Sequence, residues 1–249
     1  AIKSMPVQKT AIVTGASRGI GHAVAQRFRN LGWRVITVSR QPLPDQCPWA
    51  AEANTHIQLD LSDLDEIGRT VDALRPLLAG SQLHALVNNA GTSPKGPNGE
   101  RMNSLTTDLD EWQSMYNTNF YAPLVLTRGF AQELSNAKGA VVNLCSIAGH
   151  RVHPFAGAAY ATSKAALSAL TREMAADMAP LGVRVNAVSP GEIKTAILSP
   201  GTSAIVDSDI PMRRLGQVDE VADLIEFLCS EKSSYITGAE IAIDGGQSV

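Results

Sequence analysis

The stretch KTAIVTGASRGIGHAVAQRFRNLGWRVITVSR, Lys9–Arg40, decides the fold. KTAIVTG (Lys9–Gly15) and RVITVS (Arg34–Ser39) are short apolar runs rich in β-branched residues, the pattern of strands. Between them, Gly19–Leu31 places Ile20, Val24 and Phe28 at helical spacing. The joint is TGASRGIG, Thr14–Gly21. Gly15 permits a sharp turn at the strand end, while Gly19 and Gly21 let the backbone approach a pyrophosphate and let the helix pack close. The free N–H groups and positive dipole end of that helix then face the phosphates. In the first strand–turn–helix unit of a chain, such a turn reads as a dinucleotide site.

The same rhythm continues outward. HIQLDL (His56–Leu61), HALVNNAG (His84–Gly91), AVVNLCS (Ala140–Ser146), VRVNAVSP (Val183–Pro190) and EIAIDGG (Glu240–Gly246) read as further strands. Most are continuous apolar runs rather than alternating ones, which marks strands buried on both faces of a parallel sheet. Leu64–Leu78, Asp108–Leu134, Ala158–Ala179 and Asp219–Ser230 read as the crossover helices, with Pro180 and Gly182 stopping the fourth of the five. The expected architecture is a single α/β domain over residues 1–249, a doubly wound Rossmann fold with a seven-stranded parallel sheet and helices on both faces.

Composition agrees with this and excludes other classes. The chain has 249 residues, 44% of them apolar and 18% charged, with a formal charge of −3. That apolar content rules out intrinsic disorder, and the absence of a basic stripe argues against nucleic acid. No apolar run reaches the length of a membrane span. Cys47, Cys145 and Cys229 are few and far apart, with no metal-ligand spacing, so no metal site is expected and a reducing, cytoplasmic setting is. Met5 reads as a native start, with Ala1–Ser4 before it as a remnant.

The end of the second strand decides between nicotinamide cofactors. A carboxylate there would bind a ribose 2′-hydroxyl and repel a 2′-phosphate. This chain has Ser39 and Arg40 instead, and Arg18 stands inside the glycine turn. Two guanidinium groups suit a 2′-phosphate, so the cofactor expected is NADP(H), with NAD(H) second. Asp60 would either receive the adenine amino group or cap the turn at Ser62–Asp63. The small residues of NNAG, Asn88–Gly91, including Asn89, Ala90 and Gly91, would let the chain approach the cofactor ribose.

Tyr160 and Lys164 stand four residues apart on one helix face. A free phenol titrates near pH ~10, and a neighbouring ammonium and nicotinamide cation would favour its phenolate. Lys164 would thus tune Tyr160 and hold the cofactor ribose. Ser146 closes the fifth strand just before this helix, where its hydroxyl can donate to a substrate carbonyl. Asn119, in YNTNF (Tyr116–Phe120), is a poor helix former mid-helix, and a kink that holds a water on the proton path to Lys164 would explain it.

TGASRGIG, LDLSD, NNAG, YNTNF, CSIAG, YATSK, NAVSPG and YITG…DGG occur in this order over nearly the whole chain. In these motifs the chain resembles the classical short-chain dehydrogenase/reductases, and within them the bacterial 3-oxoacyl-acyl-carrier-protein reductases and related carbonyl reductases. The resemblance implies a catalytic tetrad of Asn119, Ser146, Tyr160 and Lys164. In it Tyr160 is the acid/base, Ser146 polarises the substrate, Lys164 relays protons and holds the ribose, and Asn119 anchors the relay water. Cofactor contacts implied in the same way fall on Gly15, Ser17, Arg18, Ile20, Arg40, Asp60, Leu61, Asn89, Tyr160, Lys164, Pro190, Gly191, Ile193 and Thr195. Transfer of the pro-S hydride and a homotetramer built on Asp108–Leu134, Ala158–Ala179 and the C-terminal strand are also implied. The stretch between Ser146 and Tyr160 is slightly longer than usual for that family and carries His150, Arg151, His153 and Phe155, which fits an acyl-carrier substrate poorly.

Thr92–Thr107 and Gly191–Met212 interrupt the alternation beyond strand ends and read as substrate-side loops. His150 and His153 are expected at the pocket rim rather than as metal ligands, and Cys145 as an inert core thiol turned from the site. Trp33, Trp49 and Trp112 show no stacking pattern in the sequence. The function expected is NADP(H)-dependent hydride transfer between nicotinamide and a small carbonyl or secondary alcohol. The alternatives are an NADP-binding redox sensor without turnover and a sugar epimerase or dehydratase, for which the chain is short.

Overall fold

In the computed structural model, residues 7–52, 55–195 and 201–249 are described. The expected remnant Ala1–Ser4 and residues 196–200 of the second substrate-side loop lie outside them.

The chain runs β1 (Thr10–Thr14), α1 (Gly19–Asn30), β2 (Arg34–Ser39), β3 (His56–Gln58), α2 (Leu64–Leu74), β4 (Ala85–Asn88), α3 (Leu109–Tyr116), α4 (Ala122–Gly129), α5 (Ala131–Ala137), β5 (Ala140–Leu144), α6 (Ala158–Met178), β6 (Arg184–Pro190), β7 (Ile193–Lys194), α7 (Thr202–Ser208), β8 (Gly216–Gln217), α8 (Val218–Leu228) and β9 (Glu240–Ile243). Seven strands form one sheet in the order β3-β2-β1-β4-β5-β6-β9, and every pairing in it is parallel.

Alternation along each strand sends neighbours to opposite faces, and both faces are apolar and covered. Ala11, Val13, Val87 and Val142 face α1 and α8, where Val24, Phe28, Val221 and Ile225 pack on them. Ile12, Leu86 and Val141 face the other layer, against Ile67 and Val71 of α2, Leu126 of α4 and Met174 and Met178 of α6. Each fully buried side chain of this size stabilises the fold by about 1.5–3 kcal/mol, and the double layer fixes strand order and register. The strand order reverses direction between β1 and β4, so the crevice beyond their C-terminal ends is the place where ligands bind in such sheets.

Four local features differ from the sequence reading. β3 pairs only over His56–Gln58, since Leu59–Leu61 turn into the crevice and Asp63 then caps α2 through Glu66 N–H at 3.0 Å. The long helix expected over Asp108–Leu134 is three pieces, with a π turn at Asn117–Tyr121 and a break at Phe130. The second substrate-side loop carries α7 and a two-stranded parallel pair, Ile193↔Gly216 and Lys194↔Gln217. Trp49 is fully buried with Leu43 and Cys47 against α1, its ring stacked on His22 at 5.0 Å, while Trp33 packs on Phe28 at 4.7 Å. His22 and Trp49 are 27 residues apart, and Phe28 and Trp33 meet across the turn between α1 and β2, so no regular spacing announced either pair.

Candidate active site

A cavity of about 480 Å³ occupies the crevice at the β1/β4 switch point. Gly15 turns the chain out of β1 at φ +65°, and a Cβ there would stand 2.8 Å from Ala90 Cα. Gly21 has no room either, because a Cβ would strike Asn89 Nδ2 and the Gly15 carbonyl. Asn89 ties the two turns together, donating from Nδ2 to the carbonyls of Thr14 and Gly15 at 3.1 Å each. Helix α1 starts after Arg18 with no side-chain cap and no acidic residue in its first turn. Its N-terminal N–H groups and dipole thus face the cavity without an internal anion.

Of the residues expected from the sequence to contact a cofactor, Gly15, Ser17, Arg18, Gly19, Ile20, Arg40, Asp60, Leu61, Asn89, Ala90, Gly91 and Thr195 line this cavity. Gly21 does not line it and serves the packing of α1. Arg18 and Arg40 are exposed at the rim, and neither guanidinium makes a hydrogen bond or ion pair among the described residues. Asp60 accepts from Ser62 N at 2.9 Å and Ser62 Oγ at 2.8 Å, and these bonds, led by the backbone one, hold its carboxyl below the usual range. Ser39, read in the sequence as standing where a carboxylate would select NAD, also lines the cavity, as do Gln41, Ser62, Ser114 and Thr118, which nothing in their spacing singled out as cofactor contacts.

The cleft continues past Asn89 into a chamber of about 380 Å³ that brings Ser146, Tyr160, Lys164, Pro190, Gly191 and Ile193 together. The side wall holds a smaller recess of about 180 Å³ where Ser146 and Tyr160 meet Lys95, His153, Phe155 and Glu192. Ser146 Oγ accepts from Ala148 N–H at 3.1 Å, which spends an acceptor site and leaves its O–H to donate. Burial pushes the Tyr160 hydroxyl up from its ordinary value, and a hydrogen bond from Ser146 pulls against it. Lys164 is buried, donates to the Leu144 carbonyl at 2.6 Å, and sits 5.8 Å from the Tyr160 ring centre. Burial lowers its pKa, partly offset by the adjacent Cys145.

Asn119 is fully buried in the π turn. Its carboxamide pairs with the backbone of Thr92 and donates to Ser163 Oγ at 3.1 Å. A Cβ on Gly91 would sit 3.3 Å from Lys164 Nζ and 3.4 Å from Asn119 Oδ1, so both groups border the turn at Gly91 closely.

His150 and Arg151 turn away from the substrate side, His150 to Glu240 at 2.8 Å and Arg151 to the Gln247 carbonyl at 2.5 Å. His153 and Phe155 line the recess. Cys145, expected to point away, is among the residues lining the inner chamber, and burial pushes its thiol up to about 11. Among the described residues no group of His, Cys, Asp and Glu side chains is arranged to hold a metal, and no helix is long and apolar enough to cross a membrane. Glu192 and Lys95 were not singled out by the sequence, because their motif neighbours give them no distinctive spacing.

A family model described as enoyl-(acyl carrier protein) reductase matches residues 15–248. The protein FixR of Bradyrhizobium diazoefficiens is 55% identical over 240 residues, 96% of this chain and 86% of that protein. An oxidoreductase of the short-chain dehydrogenase/reductase family from Brucella ovis, solved with a partially ordered NAD, is 55% identical, with a TM-score of 0.83 over 95% of this chain and 99% of that one. A 3-oxoacyl-[acyl-carrier protein] reductase from Brucella melitensis, solved with bound NAD, is 32% identical, with a TM-score of 0.86 over 97% and 91% of the two chains.

Proposed function

The chain belongs to the short-chain dehydrogenase/reductase family of oxidoreductases, and we propose that it transfers hydride between NADP(H) and a small carbonyl or secondary alcohol with Tyr160 as the acid/base. The observation that carries this reading is the meeting of Ser146, Tyr160 and Lys164 at the inner end of a glycine-walled cleft that runs from the α1 N-terminus.

The residues fit a dinucleotide. Gly15 and Gly21 have their Cβ positions closed by backbone, so the turn is shaped for close approach, and the uncapped N–H groups of α1 suit a pyrophosphate. When bound, the nicotinamide supplies or accepts the hydride. In carbonyl reduction the Ser146 O–H holds the substrate oxygen, and Tyr160 Oη gives it a proton as charge develops. Burial keeps Tyr160 protonated and ready to donate. Lys164 Nζ, with one N–H on the Leu144 carbonyl, has two others for a ribose hydroxyl and for the proton path. Asn119 would hold the end of that path by fixing the chain at Thr92 beside Gly91.

NADP(H) rather than NAD(H) is proposed on Arg18 and Arg40, two guanidinium groups with no hydrogen bond or ion pair among the described residues, at a rim where Ser39 stands in place of an acid, although Arg40 feels the charge of Asp60. NAD in the two similar solved structures is the opposing indication. A cytoplasmic homotetramer built on Asp108–Leu134, Ala158–Ala179 and the C-terminal strand completes the proposal, supported by three unpaired cysteines and by exposed Leu109 and Tyr121 in the first of those segments.

The test is oxidation of NADPH and NADH, side by side, against acetoacetyl thioesters, diketones, aryl ketones and keto-sugars, with Tyr160→Phe as background. Turnover that prefers NADPH and vanishes in the variant supports the proposal. A preference for NADH removes the role given to the two arginines, and no turnover with any carbonyl favours a cofactor-binding sensor.

A further inference from the structure

The recess beside Ser146 and Tyr160 contains a carboxylate that the proposed reaction does not use. Phe155 N–H donates to His153 Nδ1 at 3.2 Å, so that nitrogen is the acceptor. The ring proton is therefore on Nε2, which donates to Glu192 Oε1 at 2.6 Å. The imidazole thus clamps one oxygen of Glu192 through a single N–H. Among the described residues nothing bonds the second oxygen of Glu192. Its backbone is fixed as well, since the Glu192 carbonyl accepts from Gly216 N–H at 2.9 Å and the preceding Gly191 N–H binds the Ile243 carbonyl at 3.1 Å. Lys95, the cation of the same wall, donates to the Phe155 carbonyl and feels the charge of Glu192 without bonding its carboxylate. The recess thus presents a held carboxylate with a spare oxygen next to the reacting hydroxyls.

Building on the reductase reading of this site, we infer that Glu192, positioned by His153, determines specificity by accepting a hydrogen bond from a hydroxyl or protonated amine on the carbon adjacent to the reacting one. A part-buried carboxylate left facing a methylene or a thioester loses solvation and gains nothing, whereas one that meets an N–H or O–H donor forms a charge-assisted bond. A recess of about 180 Å³ admits a small ring or short chain, which suits α-hydroxy and α-amino carbonyls and their alcohols.

The test is oxidation of cyclohexane-1,2-diol, 2-aminocyclohexanol and 2-methylcyclohexanol by the full chain with NADP⁺, the methyl compound matching the others in size without a donor. The expected kcat/KM of the diol or the amino alcohol exceeds that of the methyl control by roughly 10- to 100-fold, mostly through KM. Glu192→Gln should shrink this ratio towards unity for the amine. It should shrink it less for the diol, because an amide oxygen still accepts from a hydroxyl. That contrast tells which donor the site takes. His153→Asn, which frees the carboxylate, should lower the ratio for both and serves if the first variant fails to fold. Equal rates on all three compounds, or ratios left unchanged by both Glu192→Gln and His153→Asn, would overturn the inference while leaving the reductase reading intact. Turnover of panel carbonyls with none of these three alcohols oxidised would overturn it too. No turnover of any compound in either direction would bring down the reductase reading itself.

Discussion

The carboxamide of Asn119 forms a two-bond pair with the backbone of Thr92, its Oδ1 accepting from the amide at 2.9 Å and its Nδ2 donating to the carbonyl at 3.1 Å. The π turn that carries Asn119 is thereby fastened to the loop after β4, and through Ser163 Oγ to α6. π turns inside helices are frequent at functional sites because they re-aim a side chain at little cost to the flanking helix. Asn119→Leu would leave both backbone groups of Thr92 unpaired, at a cost of about 1–3 kcal/mol. Urea denaturation should show that loss, and turnover should fall with it, because Gly91 lies beside both this carboxamide and Lys164 Nζ.

Tyr160→Phe should lower kcat/KM by about 10²- to 10⁴-fold, the usual worth of a positioned proton donor. Cofactor affinity, read by nicotinamide fluorescence, should stay within a few-fold of the parent. Burial raises the pKa of Tyr160, so its proton-donating form persists to higher pH and reduction declines only as pH rises through that raised value. Ser146→Ala removes the bond that pulls the hydroxyl down. Its residual activity should therefore show an alkaline limb displaced to higher pH. A limb displaced to lower pH would contradict the assignment.

Arg40→Ala and Arg18→Ala should each weaken NADP binding by roughly 10-fold, the worth of one charge-assisted bond, with little change for NAD. Arg40→Asp should invert the preference, since a carboxylate at that rim accepts from a ribose hydroxyl and repels a phosphate. Titration calorimetry with both cofactors checks the inversion, and an unchanged NADP affinity in both alanine variants would refute the assignment.

Gly21→Ala puts a methyl group onto the Gly15 carbonyl and Asn89 Nδ2, and backbone cannot move aside as a flexible side chain can. Overpacking of this kind costs about 1–3 kcal/mol. The melting temperature should drop and cofactor affinity with it, because the same shift opens the turn at Gly15. Gly68→Ala in α2, where the backbone is not left-handed and nothing lies within 4 Å, is the control for adding a methyl group in open space.

Glu240 joins β9 to α6 and β6, accepting from His150 Nε2 at 2.8 Å, from Ser168 Oγ at 2.9 Å and from Ser189 Oγ. Burial pushes its carboxyl up, but these bonds together outweigh burial and hold it below the usual range. A carboxyl depressed on folding stabilises the protein above its unfolded pKa, and that contribution disappears as pH falls through the folded value. Melting temperatures measured from about pH 6 down to about pH 3 should therefore fall less steeply in Glu240→Gln than in the parent across the ordinary carboxylate range.

The layered fold was legible because its signals are local. Continuous runs such as Ala140–Leu144 announce strands buried on both faces, and Gly15, Gly19 and Gly21 announce the turn between β1 and α1. Tyr160 and Lys164 were legible for a similar reason, since four residues on a helix make one face. The helix over Asp108–Leu134 was read as one piece because apolar periodicity runs on through a π turn, which adds one residue without erasing the stripe.

What the sequence determined by itself, then, is everything set by period and by turn chemistry: the parallel sheet, the glycine turn, and the helix face shared by Tyr160 and Lys164. Only the tertiary structure decided which distant groups meet. It carried Glu192 from the end of β6 to His153, fastened Asn119 to Thr92, turned His150 to Glu240, and set Trp49 against His22. Such pairs depend on how layers stack and where strands end, and side chains that meet across tens of residues share no spacing that a linear reading could detect.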